Sequence, residues 1–132
     1  LSVEGSPFDF REMKKIGDGI HCDNAQLKLG GTYDHNFVIN GDGLREAAVL
    51  QSKESGIRLT CFTDQPGVQL YVPCYTLHQK GIDGKDYPPY SAVCLETQHY
   101  PNAINIEHFP SVVLKAGENF RSKTLYHFSV MG

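Results

Sequence analysis

The chain has 132 residues, the length of one domain or of a segment of one. Twelve Lys and Arg against fifteen Asp and Glu give a net charge of −3 with neutral histidines, which disfavours nucleic-acid binding because no basic run follows a phosphate backbone. With 40% hydrophobic and 11% aromatic residues the chain can form a core, and no apolar run is long enough to span a membrane.

Turns and alternating runs, rather than helical periodicity, organise the chain. Residues 44–55 and 118–131, the longest stretches without Gly or Pro, do not repeat apolar residues over three helical turns, so we expect little helix. Period-two alternation predicts strands at residues 57–63, 68–72, 92–98 and 125–130. Turn-forming residues separate them at 30–31, 40–43, 53–56, 65–67, 83–85 and 116–118. The pattern predicts an antiparallel β-sandwich, with residues 1–132 as a single domain or a segment of a larger one.

The four cysteines show neither a C-x-x-C pair nor another spacing typical of zinc. They lie in or beside apolar runs, where a free cysteine usually serves as a small core residue. We therefore expect reduced thiols and a cytoplasmic location. These residues are Cys22, Cys61, Cys74 and Cys94.

Signatures of several enzyme classes do not occur in the sequence. It has no G-x-S-x-G, no P-loop and no G-x-G-x-x-G, so serine hydrolase, NTPase and dinucleotide functions have no support. No two histidines have the i, i+4 or i, i+2 spacing of a metal site, so we expect most of them to be surface or structural residues. The six histidines are His21, His35, His78, His99, His108 and His127.

Glu96 is unusual because it lies within a predicted strand that begins with an apolar run. Alternation places it on one face with Cys94 and Gln98, where small and polar neighbours suit the floor of a cleft. Partial burial there would make it a better base near neutral pH. The alternative is an edge-strand glutamate that faces solvent.

Gln69 and Tyr71 share a face of the predicted strand 68–72, opposite three aliphatic residues. An amide beside an aromatic ring suits a sugar, because the amide binds hydroxyl groups and the ring covers an apolar face. The alternative is an outward polar face of an amphipathic strand.

The segment from Tyr33 to Asn36 brings a carboxylate, an imidazole and an amide together in sequence, just before an apolar run. Asp34 and its neighbours are able to anchor a polyhydroxyl ligand or to move protons. The alternative is a turn led by glycines and capped by Asp and Asn.

Five segments, in order along the chain, resemble the aldose 1-epimerase (galactose mutarotase) family. They are Gly5–Arg11, Gln26–Val38, Gln65–Tyr71, Cys94–Ala103, and Phe109–Ser111 with Gly117-Glu118. The resemblance implies an all-β antiparallel β-supersandwich, of which this chain is the C-terminal part. It implies interconversion of the α and β anomers of free hexoses such as galactose and glucose, without metal or cofactor.

The resemblance also assigns individual residues. Glu96, in Leu-Glu-Thr-Gln, matches the general base; Asp34, in Tyr-Asp-His-Asn-Phe, matches an aspartate that holds sugar hydroxyls; and Gln69 matches a pocket glutamine. With Tyr71, these residues form the predicted site, and a hexose is the predicted small-molecule partner.

The family's acid histidine lies in an upstream motif that this sequence does not contain. We therefore expect the chain to associate with the missing N-terminal portion or with another chain. Two alternatives remain open: a truncated, non-catalytic paralogue that binds sugar or protein, and a hexose-6-phosphate mutarotase. The second would require cationic side chains aimed at a phosphate, whereas the arginines Arg45, Arg58 and Arg121 are not clustered in the sequence.

Overall fold

Strands are the main regular secondary structure of the computed structural model, which describes residues 1–75 and 80–132. The strands in these ranges are β1 (Asp34–Val38), β2 (Arg45–Gln51), β3 (Ile57–Thr63), β4 (Gly67–Tyr71), β5 (Cys94–Gln98) and β6 (Thr124–Val130). The helical elements there are α1 (Ala25–Gly30) and two 3₁₀ turns, Ile16–Asp18 and Ala103–Asn105. The prediction of an all-β chain with little helix is confirmed.

The described residues form two compact units. The first comprises Leu1–Asp34 and Tyr71–Cys94, and the second comprises His35–Leu70 and Leu95–Gly132. The prediction of one domain, or of one segment of a larger domain, stays a prediction. No helix in the described ranges is long and apolar enough to cross a membrane.

The first unit is organised around the buried ring of Tyr33. Its hydroxyl donates to the Pro7 carbonyl oxygen at 2.9 Å, and Phe8 and Phe10 pack edge-on against it at centroid distances of 5.7 and 5.3 Å. Helix α1 precedes this tyrosine and is capped at its C-terminus by Gly31, whose φ of 68° suits a residue without a Cβ. The ring contacts and the hydrogen bond together fix the chain at the start of β1.

The second unit contains a three-stranded sheet in the order β2-β3-β6. Both pairs are antiparallel, and the register of β3 with β6 runs from Ile57 opposite Val130 to Thr63 opposite Thr124. Strand β2 carries a bulge between Glu46 and Ala48. One face of this sheet therefore carries the odd-numbered residues of β3 and the even-numbered residues of β6.

The other sheet has the order β1-β4-β5. The Val72 N–H donates to the Tyr33 carbonyl oxygen, and the Ile39 N–H donates to that of Pro66, so β1 and β4 run antiparallel. Counting inward from these bonds places Asn36 opposite Gln69, with both side chains on one face.

The four predicted strands are confirmed, with ends that differ by at most two residues. Strands β1 and β2 were not predicted, because β1 starts with three polar residues and β2 interrupts its alternation with the bulge near Ala48. Hydrogen bonding to neighbouring strands, rather than a local pattern, determines both.

Candidate functional site

Three side-chain amides meet on one face of the β1-β4-β5 sheet, and we call Asn36, Gln69 and Gln98 the amide cluster. The Gln98 Nε2 group donates to Gln69 Oε1 at 3.0 Å and to Asn36 Oδ1 at 3.2 Å. All three side chains are half-buried. The cluster thus holds polar groups in a defined arrangement on a partly solvated face.

Gly67 leaves the space that the Asn36 amide occupies. A Cβ built at Gly67 would lie 2.5 Å from Asn36 Oδ1 and 2.9 Å from its Nδ2. These separations are far below van der Waals contact, so a side chain at position 67 would displace the amide.

Glu96 lies on the same face of β5 as Gln98, two residues earlier in the strand. Its side chain is exposed, whereas the cleft interpretation of the sequence expected partial burial. The described residues of this chain leave that part of the face open to solvent, so the carboxylate is accessible to a ligand.

Hydrogen bonds to β6 hold β5 on both sides of Glu96. The Tyr126 hydroxyl donates to the Leu95 carbonyl oxygen at 2.7 Å, and the hydroxyls of Thr97 and Thr124 share a hydrogen bond of 2.7 Å. Leu95 and Thr97 face away from the amide cluster because strand alternation turns them to the opposite side. The backbone that carries Glu96 is thus fixed from the other sheet.

The pKa of the Tyr126 hydroxyl depends on its burial and on two neighbouring side chains. Desolvation raises the pKa of Tyr126 above its ordinary value, and the Cys61 and Glu96 side chains raise it further by charge repulsion. The hydroxyl therefore keeps its neutral, donating form to a higher pH than an ordinary tyrosine does.

Asp34 and Tyr71 lie at strand ends and belong to the first compact unit. Asp34 begins β1, two residues before Asn36, and is exposed; Tyr71 ends β4, two residues after Gln69, and is half-buried. Their role in substrate binding stays a prediction.

Gln98 belongs to this site, although the sequence marks it merely as a neighbour of Glu96. The only signal for it was its place on the Glu96 face of a period-two run. Its contacts with Asn36 and Gln69 join residues 62 and 29 positions away, so local sequence does not reveal them.

Metal-binding groups and disulfides are not found in the part of the chain that the structure describes. No three His, Cys, Asp or Glu side chains there could share a metal ion, and His78 lies outside the described residues. Cys22, Cys61 and Cys74 carry free thiols, and burial raises the pKa of the Cys61 thiol.

Comparison with known proteins gives one consistent result. A family model described as aldose 1-epimerase matches residues 1–127. Galactose mutarotase from Bos taurus is 40% identical over 133 residues, which cover 98% of this chain and 37% of that protein. The Sus scrofa galactose mutarotase is 38% identical over 132 residues, which cover 97% of this chain and 36% of that protein.

A solved structure of an aldose epimerase homologue is also similar to this chain. The crystal structure of a GalM/aldose epimerase homologue from C. elegans superposes with a TM-score of 0.84 at 30% identity, covering 99% of this chain and 39% of that one. The predicted fold is confirmed by this likeness. The chain spans less than two-fifths of the length of the relatives that it matches.

Proposed function

Because the chain belongs to the aldose 1-epimerase family, we propose that it forms part of an enzyme that interconverts the α and β anomers of a free hexose such as galactose or glucose. The observation that carries the proposal is that the exposed Glu96 carboxylate and the amide cluster share one face of the β1-β4-β5 sheet. A carboxylate beside fixed amides combines a proton acceptor with groups that bind hydroxyls.

Glu96 acts as the general base in this proposal. It takes the proton from the anomeric O1 hydroxyl, the bond between C1 and the ring oxygen breaks, and an acid protonates that ring oxygen. The open-chain aldehyde then rotates about its C1–C2 bond, and the reverse proton transfers close the ring on the other face of C1. The reaction is balanced in protons and needs no external oxidant or reductant.

The remaining predicted residues bind the sugar. Gln69 hydrogen-bonds a hydroxyl group, Asp34 accepts from sugar hydroxyls, and Tyr71 offers its ring to an apolar face of the hexose. None of these contacts reacts, so their loss should weaken substrate binding more than it slows the chemical step.

The acid comes from outside this sequence in our proposal, since the relatives are more than twice as long as the region they share with the chain. A histidine in the missing N-terminal portion, or in another chain, would protonate the ring oxygen. Association with that partner therefore belongs to the proposed function, as does a cytoplasmic location, which free thiols favour.

Polarimetry of freshly dissolved α-glucose or α-galactose tests the proposal on the natural protein that carries this sequence. Glu96→Gln should lower kcat roughly 10²- to 10⁴-fold, the usual share of a positioned base. The fold should survive, because an exposed carboxylate leaves no buried group unpaired when it is replaced. Glu54→Gln, in the exposed turn between β2 and β3, makes the same charge change as a matched control.

Three outcomes separate the candidate functions. Mutarotation that falls with Glu96→Gln and not with Glu54→Gln supports the catalytic role. A Glu96→Gln variant within about threefold of wild type removes Glu96 from that role, since such a change is worth under about 0.7 kcal/mol of barrier. Hexose binding without any mutarotation by the wild-type protein would instead favour a non-catalytic sugar-binding paralogue.

A further inference from the structure

We propose that Gln98 is a positioning residue that fixes the orientation of the Gln69 and Asn36 amides and so sets the affinity of this face for sugar oxygen atoms. The inference rests on the proposed function for its substrate, but its geometric basis lies in the amide cluster itself. A single Nε2 group serves two oxygen acceptors, at 3.0 Å on Gln69 and 3.2 Å on Asn36.

A side-chain amide has one end that accepts and one end that donates. Because Gln69 Oε1 accepts from Gln98, the Gln69 NH₂ group lies at the other end of its planar amide. That group only donates, so the side of Gln69 turned away from Gln98 binds oxygen acceptors, among them the hydroxyl oxygens of a hexose. Loss of Gln98 would remove a donor that selects this orientation of the terminal amide over the one rotated by half a turn.

The position of Gln98 in β5 links this orientation to the proposed base. Gln98 and Glu96 are two residues apart in one strand and on one face, and the hydrogen bonds of Leu95 and Thr97 to β6 hold that strand. The amide cluster is thus held in fixed relation to Glu96. A sugar bound to Gln69 would be placed with respect to the carboxylate through Gln98.

Gly67 gives a second way to disturb the cluster without changing a hydrogen-bonding group. The Cβ added by Gly67→Ala would meet the Asn36 amide at 2.5 Å, and this amide is the mobile end of a side chain. The variant should therefore move Asn36 away from Gln98 at a modest cost in stability.

Steady-state polarimetry on the natural protein tests the proposal. Gln98→Leu should raise KM for the hexose about tenfold, the size of one lost hydrogen bond, while kcat stays within about threefold. Gln98→Glu keeps the size of the side chain but replaces the donor with an acceptor, so it should fail to restore KM. Gln51→Leu, at the end of β2 in the other sheet, makes the same change as a control and should leave KM unaltered.

These kinetics distinguish positioning from a general structural role. A variant that merely unfolds part of the protein lowers kcat in proportion to the active fraction and leaves KM unchanged. Restoration of the wild-type KM by Gln98→Glu would mean that the side chain only fills space, and it would overturn the proposal. An unchanged KM in Gln98→Leu would do the same.

A readout that needs no activity separates this inference from the proposed function. The side-chain NH₂ resonances of Gln69 and Asn36, followed by ¹H–¹⁵N NMR without sugar, should shift in Gln98→Leu and in Gly67→Ala but not in Gln51→Leu. Unmoved resonances would overturn the positioning role whatever the protein catalyses. Shifted resonances in a protein that neither binds nor converts a hexose would refute the proposed function while supporting the role of Gln98 in orienting the two amides.

Discussion

The Tyr126 hydroxyl donates a hydrogen bond of 2.7 Å to the carbonyl oxygen of Leu95, the residue before Glu96. This contact joins β6 of one sheet to β5 of the other. The position of the proposed base therefore depends on a side chain that has no place in the proposed chemistry.

Tyr126→Phe removes this hydroxyl and keeps the ring. The free energy of unfolding should fall by about 1 kcal/mol, the usual net value of one hydrogen bond, as measured by urea denaturation. Mutarotation should slow several-fold because β5 loses one anchor beside Glu96. Tyr100→Phe, whose ring packs on Phe109 at 5.0 Å, serves as the control and should change stability by less than about 0.5 kcal/mol.

The same variant has a pH signature. The folded state raises the pKa of Tyr126 above its ordinary value of 10.0, so it binds this proton more tightly than the unfolded chain. The stability from this group is present below about pH 10 and is lost as the pH rises through the folded pKa. The alkaline decline in stability should be smaller in Tyr126→Phe than in wild type, and an identical decline would contradict the assignment.

Thr124 is the middle member of a chain of three hydroxyls. Its Oγ1 lies 2.7 Å from that of Thr97 and 3.1 Å from that of the buried Thr63. Thr124→Val removes the hydroxyl without changing the shape and should lower the free energy of unfolding by about 1 to 3 kcal/mol, because two partners lose a contact.

Thr124→Ser is the matched control for this prediction. It keeps the hydroxyl and loses one methyl group, so it should cost less than Thr124→Val in the same denaturation experiment. A larger loss in Thr124→Ser than in Thr124→Val would show that packing of the methyl group, not the hydroxyl chain, stabilises this junction.

Sequence patterns predicted the strands whose residues alternate clearly between apolar and polar. Strand β3, over Ile57–Thr63, has the predicted bounds, and β4 buries Val68 and Leu70 while Gln69 stays half-buried, as alternation predicts. These strands pack one face on the core. Because the buried face favours apolar residues, the sequence alternates between apolar and polar residues.

The relations between distant residues were not predictable in the same way. Gln98 and Asn36 are 62 positions apart in the sequence, and their hydrogen bond depends on the strand order β1-β4-β5. No local pattern specifies that order. The sequence left both a cleft floor and a solvent-facing position open for Glu96, which is exposed, because alternation assigns a side chain to a face but does not tell what covers the face.

Asp9 and Arg11 form a bidentate pair near the start of the chain, with N–O distances of 2.9 and 2.8 Å. The hydrogen bond from Arg11 lowers the pKa of Asp9 from 3.8 to about 2. A lowered folded pKa contributes stability that is present above about pH 4 and is lost as the pH falls toward 2.

Arg11→Gln should therefore return the pKa of Asp9 toward its ordinary value and remove this part of the acid sensitivity. A ¹³C NMR titration of the Asp9 carboxyl carbon measures the midpoint directly. Arg58→Gln, on β3, is the control and should leave the midpoint near 2. A midpoint near 2 in Arg11→Gln would mean that Arg11 does not cause the shift.

An apolar surface remains exposed at one end of the β2-β3-β6 sheet. The register pairs Ile57 with Val130 and Leu59 with Phe128, so these side chains form one continuous face, which we call the apolar end. Phe128 is 66% exposed, Val130 81% and Ile57 48%. Strand β6 also lies at the edge of its sheet, where backbone groups on one side have no strand partner among the described residues.

The 132-residue chain should consequently self-associate, since exposed apolar patches and open sheet edges favour association. Phe128→Lys places a charge in the apolar end and should shift the chain toward monomer, as measured by size exclusion with light scattering across a roughly hundredfold range of protein concentration. His127→Lys is the matched control, because it adds the same charge one residue away on the opposite face of β6 and should leave the association intact. A wild-type chain that stays monomeric throughout this range would show that the apolar end is not an association surface, and equal effects of the two variants would point to net charge instead.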